Sequence, residues 1–158
     1  MANSINLTVV VDPNAANPNP YLPNSVYVTA SDIQWFRADT TSPVANVVTT
    51  LNIKLTINNS KREAVYLSST TLSALTTAFP TFIPLVVYQN LEGTAPTGGA
   101  GTTYYYNPAV IQFFYADATT GVGSVASQVN IMLQKGNGTT SGNILVSNTA
   151  SAIATALG

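Results

Sequence analysis

IQWFRADTT occupies Ile33–Thr41, and IQFFYADAT occupies Ile111–Thr119, 78 positions further on. Sliding the chain by that offset, without a gap, aligns 33–79 with 111–157, and 19 of the 47 positions are identical. A chain of this biased composition would give about 4 matches by chance. The identities run through Asn52-Ile53/Asn130-Ile131 and Leu55/Leu133 to Ser73-Ala74/Ser151-Ala152. The same offset reaches the start, where Ile5, Leu7 and Val9 meet Ile83, Leu85 and Val87, and Tyr27 meets Tyr105. Self-similarity at a fixed period marks a repeated structural unit. The chain is therefore expected to be two tandem domains, 1–79 and 80–158, with almost no linker between them.

Two aligned stretches let each element be read twice. INLTVVV puts Ile5, Leu7, Val9 and Val11 on one face, and IPLVVYQ repeats this with Ile83, Leu85 and Val87, as a strand does. Pro84 cannot donate to a ladder, so that strand is expected at a sheet edge or to begin late. DPNAANPNPYLPN and NLEGTAPTGGAGT are rich in breakers and read as long loops. SVYVTASDIQWFRAD and TYYYNPAVIQFFYAD are rich in β-branched and aromatic residues, with a bend expected at Pro108. In VANVVTTLNIKLTI, Val47, Leu51, Ile53, Leu55 and Ile57 share one face, and Asn52, Lys54 and Thr56 the other. NNSKR and GNGTT carry hairpin chemistry, followed by short strands at 65–68 and 144–146. SSTTLSALTTAF and VSNTASAIATALG close each unit as a helix, with Ser69 or Thr70, and Ser147 or Asn148, as N-caps.

The expected fold class is thus mainly β (α+β): two duplicated small domains, each β-β-β-β-α. Each is an antiparallel sheet with one C-terminal helix on its apolar face. A unit of this size has a small core by itself, so packing between the copies, or between chains, would offset that.

Hydrophobic residues make up 46% of the 158 positions, enough to bury a core. Charged residues make up only 7%, against about 25% in an ordinary soluble domain. With a net charge of −1, the surface must be covered by Thr, Asn, Ser and Gly, and near-neutral surfaces tend to associate. A homo-oligomer is expected. Of five basic residues only Lys61 and Arg62 are adjacent, so there is no cationic stripe for nucleic acid. No run approaches the roughly 18 apolar residues of a membrane span. MANSINLTVVVDPN has neither a basic n-region nor a long apolar core, so it does not read as a signal peptide.

The chain has no cysteine and no histidine, which removes thiolate nucleophiles, Cys metal sites and the usual general base. Lys54, Lys61 and Lys135 could serve a Ser or Thr nucleophile, but none sits in Ser-x-x-Lys. GTAPTGGAGTT lacks the Lys-Ser/Thr ending of a phosphate loop. Asp39 and Asp117, each just before a turn, read as turn-capping carboxylates. The expectation is a protein that is not an enzyme, with no catalytic, cofactor-binding or metal residues and no cofactor. Trp35, Phe36, Phe113, Phe114 and Tyr115 alternate across a strand, so one set should build core and the other a contact face. Tyr104, Tyr105 and Tyr106, beside the long loop, are candidate interface residues. So are Lys61 and Arg62, whose counterparts Thr139 and Thr140 are uncharged.

The leaderless start, the lack of cysteine, the Thr/Asn/Ala/Gly-rich composition and the ending ILVSNTASAIATALG together resemble small virion proteins of tailed bacteriophages. The resemblance implies a decoration, cement or other structural role on a capsid or tail, with no catalytic residues. It also implies a chain made in the host cytoplasm and located in the virion. Its partners would be itself and a major capsid or other virion protein. The duplication adds a geometry: a trimer of two-copy chains would present six similar units to a sixfold-like shell. Two other classes fit the hydroxyl-rich surface, a self-assembling surface filament or lattice subunit and a glycan-binding adhesin module built on Tyr104–Tyr106.

Overall fold

The computed structural model describes residues 4–10, 25–57, 59–117, 119–136 and 138–158. The strands are β1 (Ser4–Thr8), β2 (Ser25–Thr29), β3 (Ile33–Ala38), β4 (Thr49–Ile57) and β5 (Ser60–Ser68) in the first half. The second half has β6 (Ile83–Gln89), β7 (Thr102–Tyr106), β8 (Ile111–Ala116), β9 (Ser127–Lys135) and β10 (Gly138–Val146). Helix α1 (Leu72–Ala78) follows β5, and α2 (Ala150–Leu157) follows β10. The molecule is mainly β, as its alternating apolar patterns require. β1 and β2 form a small antiparallel sheet, and eight strands form a large one in the order β5-β4-β3-β7-β6-β10-β9-β8. The breaker-rich stretch 12–24 lies outside the described residues.

The pairing registers recur at a spacing of 78 residues. Leu7 opposes Val26 in β1–β2, and Leu85 opposes Tyr104 in β6–β7. Phe36 opposes Leu51, and Phe114 opposes Val129; both pairings are interrupted by a bulge at the same place, between Ile33 and Trp35 and between Ile111 and Phe113. An isolated bridge from Val9 to Ser68 ties the small sheet to β5, at the position where Val87 pairs with Val146. Counting that bridge, the strands run 2-1-5-4-3 and then 7-6-10-9-8.

Two separate sheets were expected, but strands from both sides of Phe79-Pro80 share the large one. The junction is β3 against β7. The alternation of β3 explains why one strand can serve two cores. Phe36 points into a first core with Leu51, Ile53, Tyr66, Leu75 and Phe79. Trp35, on the opposite face, packs against a second core with Leu85, Tyr104, Val129, Ile131 and Ile153. Each core has its helix, which buries Leu75 of α1 or Ile153 of α2.

Local details depart from the sequence expectation for identifiable reasons. The helix caps are Thr71 and Thr149, whose hydroxyls accept from Ala74 N–H and Ala152 N–H. The expected caps have other partners: Thr70 Oγ1 accepts from Thr8 N–H, and Asn148 Oδ1 accepts from Val86 N–H. Pro84 sits inside the large sheet, not at an edge, because β10 pairs with β6 only at Val87 and Gln89. Beside Pro84 stands the Asn148 side chain, which donates to the Pro84 carbonyl and takes its N–H from Val86 rather than from Pro84. β5 and β10 begin earlier than expected, so Lys61 and Arg62 belong to a strand, opposite Thr56 and Leu55, rather than to a turn. Pro108 opens a short 3-10 turn, as Ala30 does in the first half.

Candidate functional site: the seam and cleft between the halves

The seam is short and aromatic. β3 and β7 pair through Trp35–Tyr106 and Phe36–Tyr105. The Phe36 and Tyr105 rings stack at 5.1 Å with an interplanar angle of 6°. On the other face Trp35 meets Tyr104 edge-on at 4.8 Å. Stacked and edge-on pairs each add about 0.5–1.5 kcal/mol beyond the area they bury.

A buried amide clasps the seam. β9 extends past the end of β8, whose register with it starts at Ile111–Ile131, so the main chain of Gln134 has no strand on that side. The Gln34 side chain takes the strand's place: its Nε2 donates to the Gln134 carbonyl at 3.0 Å, and its Oε1 accepts from Gln134 N–H at 2.6 Å. The same Nε2 donates to Asn52 Oδ1. Nearby, Glu63 N–H donates to the Gly136 carbonyl and Gln134 Nε2 to the Lys61 carbonyl. Asn107 closes the end, its Nδ2 donating to the carbonyls of Ala30 and Ile33.

Between the halves lies a cleft of about 640 Å³, with Trp35, Arg37, Asn52, Glu63, Tyr104 and Lys135 among its walls. Arg37 is buried, 3.8 Å from the Asp39 carboxylate, with its guanidinium 5.8 Å from the centre of the Tyr104 ring. It donates through Nη1 to the Ala38 carbonyl, while its buried Nε has no partner. Lys135 bridges Glu63 and Glu92 at 3.8 and 3.3 Å, and Asn52 Nδ2 donates to Glu63. Burial raises the Tyr104 and Tyr106 hydroxyls above their ordinary range, so both stay neutral at physiological pH. Among the described residues no group of three or more His, Cys, Asp or Glu converges to hold a metal ion, and no helix is long and apolar enough to cross a membrane.

Asp39 and Asp117 both act on turns. Asp39 accepts from Thr41 N–H and Ser42 N–H and from the Thr50 hydroxyl, and Asp117 accepts from Thr119 N–H and Gln128 Nε2. Burial alone would raise the Asp39 carboxyl, but the bonds from Thr50 and Thr41, then Arg37 and Ser42, outweigh it and leave it below its usual value. The Thr119 N–H and hydroxyl, with Gln128, lower Asp117 as well. A carboxylate whose folded value is depressed contributes stability above its unfolded value and loses it as pH falls through the folded one. Urea midpoints are therefore expected to hold down to about pH 4 and to fall below it. Asp39→Asn should lower stability by about 1–2 kcal/mol at pH 7 and shrink the acid-induced loss. Equal slopes for wild type and variant below pH 4 would contradict this.

Of the interface residues expected from sequence, Tyr104 and Tyr106 are buried against the second core, and Tyr105 is half-buried on the opposite face against Phe36. The triplet joins the two halves of one chain. Lys61 and Arg62 are exposed on β5; the main chain of Lys61 reaches the seam through Gln134. Sequence reasoning missed Gln34, Gln134 and Asn107. The identity of Gln34 and Gln112 in the repeated phrase was the available signal, but it could not say which one is buried. Comparison with known protein families, characterised proteins and solved structures finds no match to this chain.

Proposed function

We propose that this chain is a non-enzymatic structural assembly protein, a decoration or cement subunit of a tailed-bacteriophage virion. In this reading it consists of two tandem copies of one β-β-β-β-α unit, 1–79 and 80–158. The observation that carries the assembly role is the seam: strand pairing, stacked rings and a clasping amide make one unit fit against the next. The low charge and hydroxyl-rich surface support it, since such surfaces associate readily. Its partners are further copies of itself, as a trimer or other oligomer, and a major capsid or other virion protein. No nucleic acid, membrane or cofactor is involved. Mass spectrometry of purified particles from lysates in which the chain is made should find it in a fixed ratio to the major capsid protein. A chain that stays wholly in the soluble fraction, with shells intact, overturns the virion reading.

The cleft favours a second reading, a glycan-binding module. Trp35 and Tyr104 supply ring faces, and Arg37, Asn52 and Glu63 supply polar groups within one concave site. Binding of labelled oligosaccharides by the isolated protein, lost on Trp35→Ala, would favour it over the shell role.

A further inference from the structure

The strand order leaves two outer edges among the described residues, β2 at one end and β8 at the other. By position in the repeat, β2 corresponds to β7 and β8 to β3. The two edges are therefore unmated versions of the two strands that form the internal seam. From this we infer that β8 of one molecule pairs with β2 of a second copy, head to tail, in the register of β3 with β7. Shifting the internal register by 78 residues gives the contacts: Phe113 opposite Val28, and Phe114 opposite Tyr27.

Burial follows this correspondence at most of the paired positions, Val28 being buried in its own core as Tyr106 is. Tyr27 is 74% exposed, whereas Tyr105 is stacked on Phe36. Phe113 is 54% and Tyr115 42% exposed, whereas Trp35 is half-buried and Arg37 buried. Gln112 is exposed where Gln34 is buried. The receiving side shows the same deficit. Ile83, Tyr104 and Leu133 are buried beneath the seam, while their counterparts Ile5, Val26 and Leu55 are only half-buried around the first core. Gln112 has a ready target as well. β4 outruns β3 just as β9 outruns β8, so the main chain of Thr56 in the second copy matches that of Gln134.

Three internal bonds are not reproduced. Asn107 donates from its side chain to the carbonyls of Ala30 and Ile33 and from its N–H to the Gln34 carbonyl; its counterpart Thr29 has no side-chain amide, and its N–H is already held by the Asp32 carboxylate. The contact between molecules is accordingly weaker than the internal seam and concentration-dependent. A head-to-tail interface closes into a ring if its rotation allows and otherwise extends as a filament. This deepens the assembly reading above and rests on it for biological meaning, but it is tested separately.

The experiment uses the full-length chain and two edge variants, Tyr27→Lys and Phe113→Lys, in sedimentation velocity over a concentration series. Both side chains are exposed, so each variant should fold, which circular dichroism checks; Tyr27→Ser and Phe113→Ser replace either that does not. Wild type should form oligomers larger than a dimer. Each variant alone should need a concentration higher by about tenfold or more, the effect of losing an aromatic anchor. Mixed together, the two variants should form a one-to-one dimer and nothing larger, because each retains one intact edge. A wild type that is monomeric at every concentration overturns the proposal, as do variants that assemble like wild type or a mixture that stays monomeric. A monomer found on purified shells would sink this pairing and spare the virion role. An assembling chain absent from every particle would do the reverse.

Discussion

Gln34→Leu is expected to lower the stability of the folded chain by about 2–4 kcal/mol, and Gln112→Leu, at the same place in the repeat, to change it by less than about 0.5 kcal/mol. The contrast comes from surroundings. Gln34 is 1% exposed and gives both halves of its amide to Gln134, with Asn52 as a third partner. Removing it strands the buried N–H and carbonyl of Gln134 and the Asn52 side-chain oxygen. Each unsatisfied group costs about 1–3 kcal/mol, partly relieved if water enters from the cleft. Gln112 stands in solvent and leaves nothing stranded in the monomer. Urea unfolding of the two variants, below the concentration at which the chain associates, measures the difference. Hydrogen exchange at the Gln134 amide should accelerate in the first variant alone. Equal losses for both would mean that the clasp does not hold the seam.

That contrast also marks how far the sequence could be read. The period of 78 was legible because nineteen identities fall on one ungapped offset, and alternation around Leu51, Ile53 and Val129, Ile131 located the buried faces. The mainly β character and the turn-capping role of Asp39 follow from such local signals. The seam does not. Gln34 and Gln134 are 100 residues apart, and nothing near either one reports the other. Tyr104–Tyr106 looked like a surface patch because it borders a loop; its burial depends on β3 arriving from the other half. Pro84 looked like an edge residue because ladder chemistry was judged from its own strand, without the Asn148 side chain opposite it. Local pattern fixes elements and faces, whereas side-chain partners across a long-range junction depend on topology.

The same junction gives the largest expected single effect. Phe36→Ala should cost about 3–5 kcal/mol, the range for truncating a fully buried phenylalanine. Phe36 is completely buried, stacked on Phe82 at 5.3 Å and on Tyr105 at 5.1 Å, and tilted against Phe79 at 6.4 Å. Its loss opens the first core and removes the ring on which the second half leans. Phe114→Ala, half-buried at the outer edge, should cost about 1–2 kcal/mol. The chain provides its own probe, since Trp35 is its single tryptophan and lies in the seam. In wild type, tryptophan fluorescence and far-ultraviolet circular dichroism should report one coincident transition, as a cooperative unit requires. In Phe36→Ala the fluorescence change should come at lower urea than the circular dichroism change. The seam would then open while the second half, with Ile131, Ile144 and Ile153 still packed, keeps its strands. Coincident transitions in the variant would show that the halves stand or fall together whatever holds the rings.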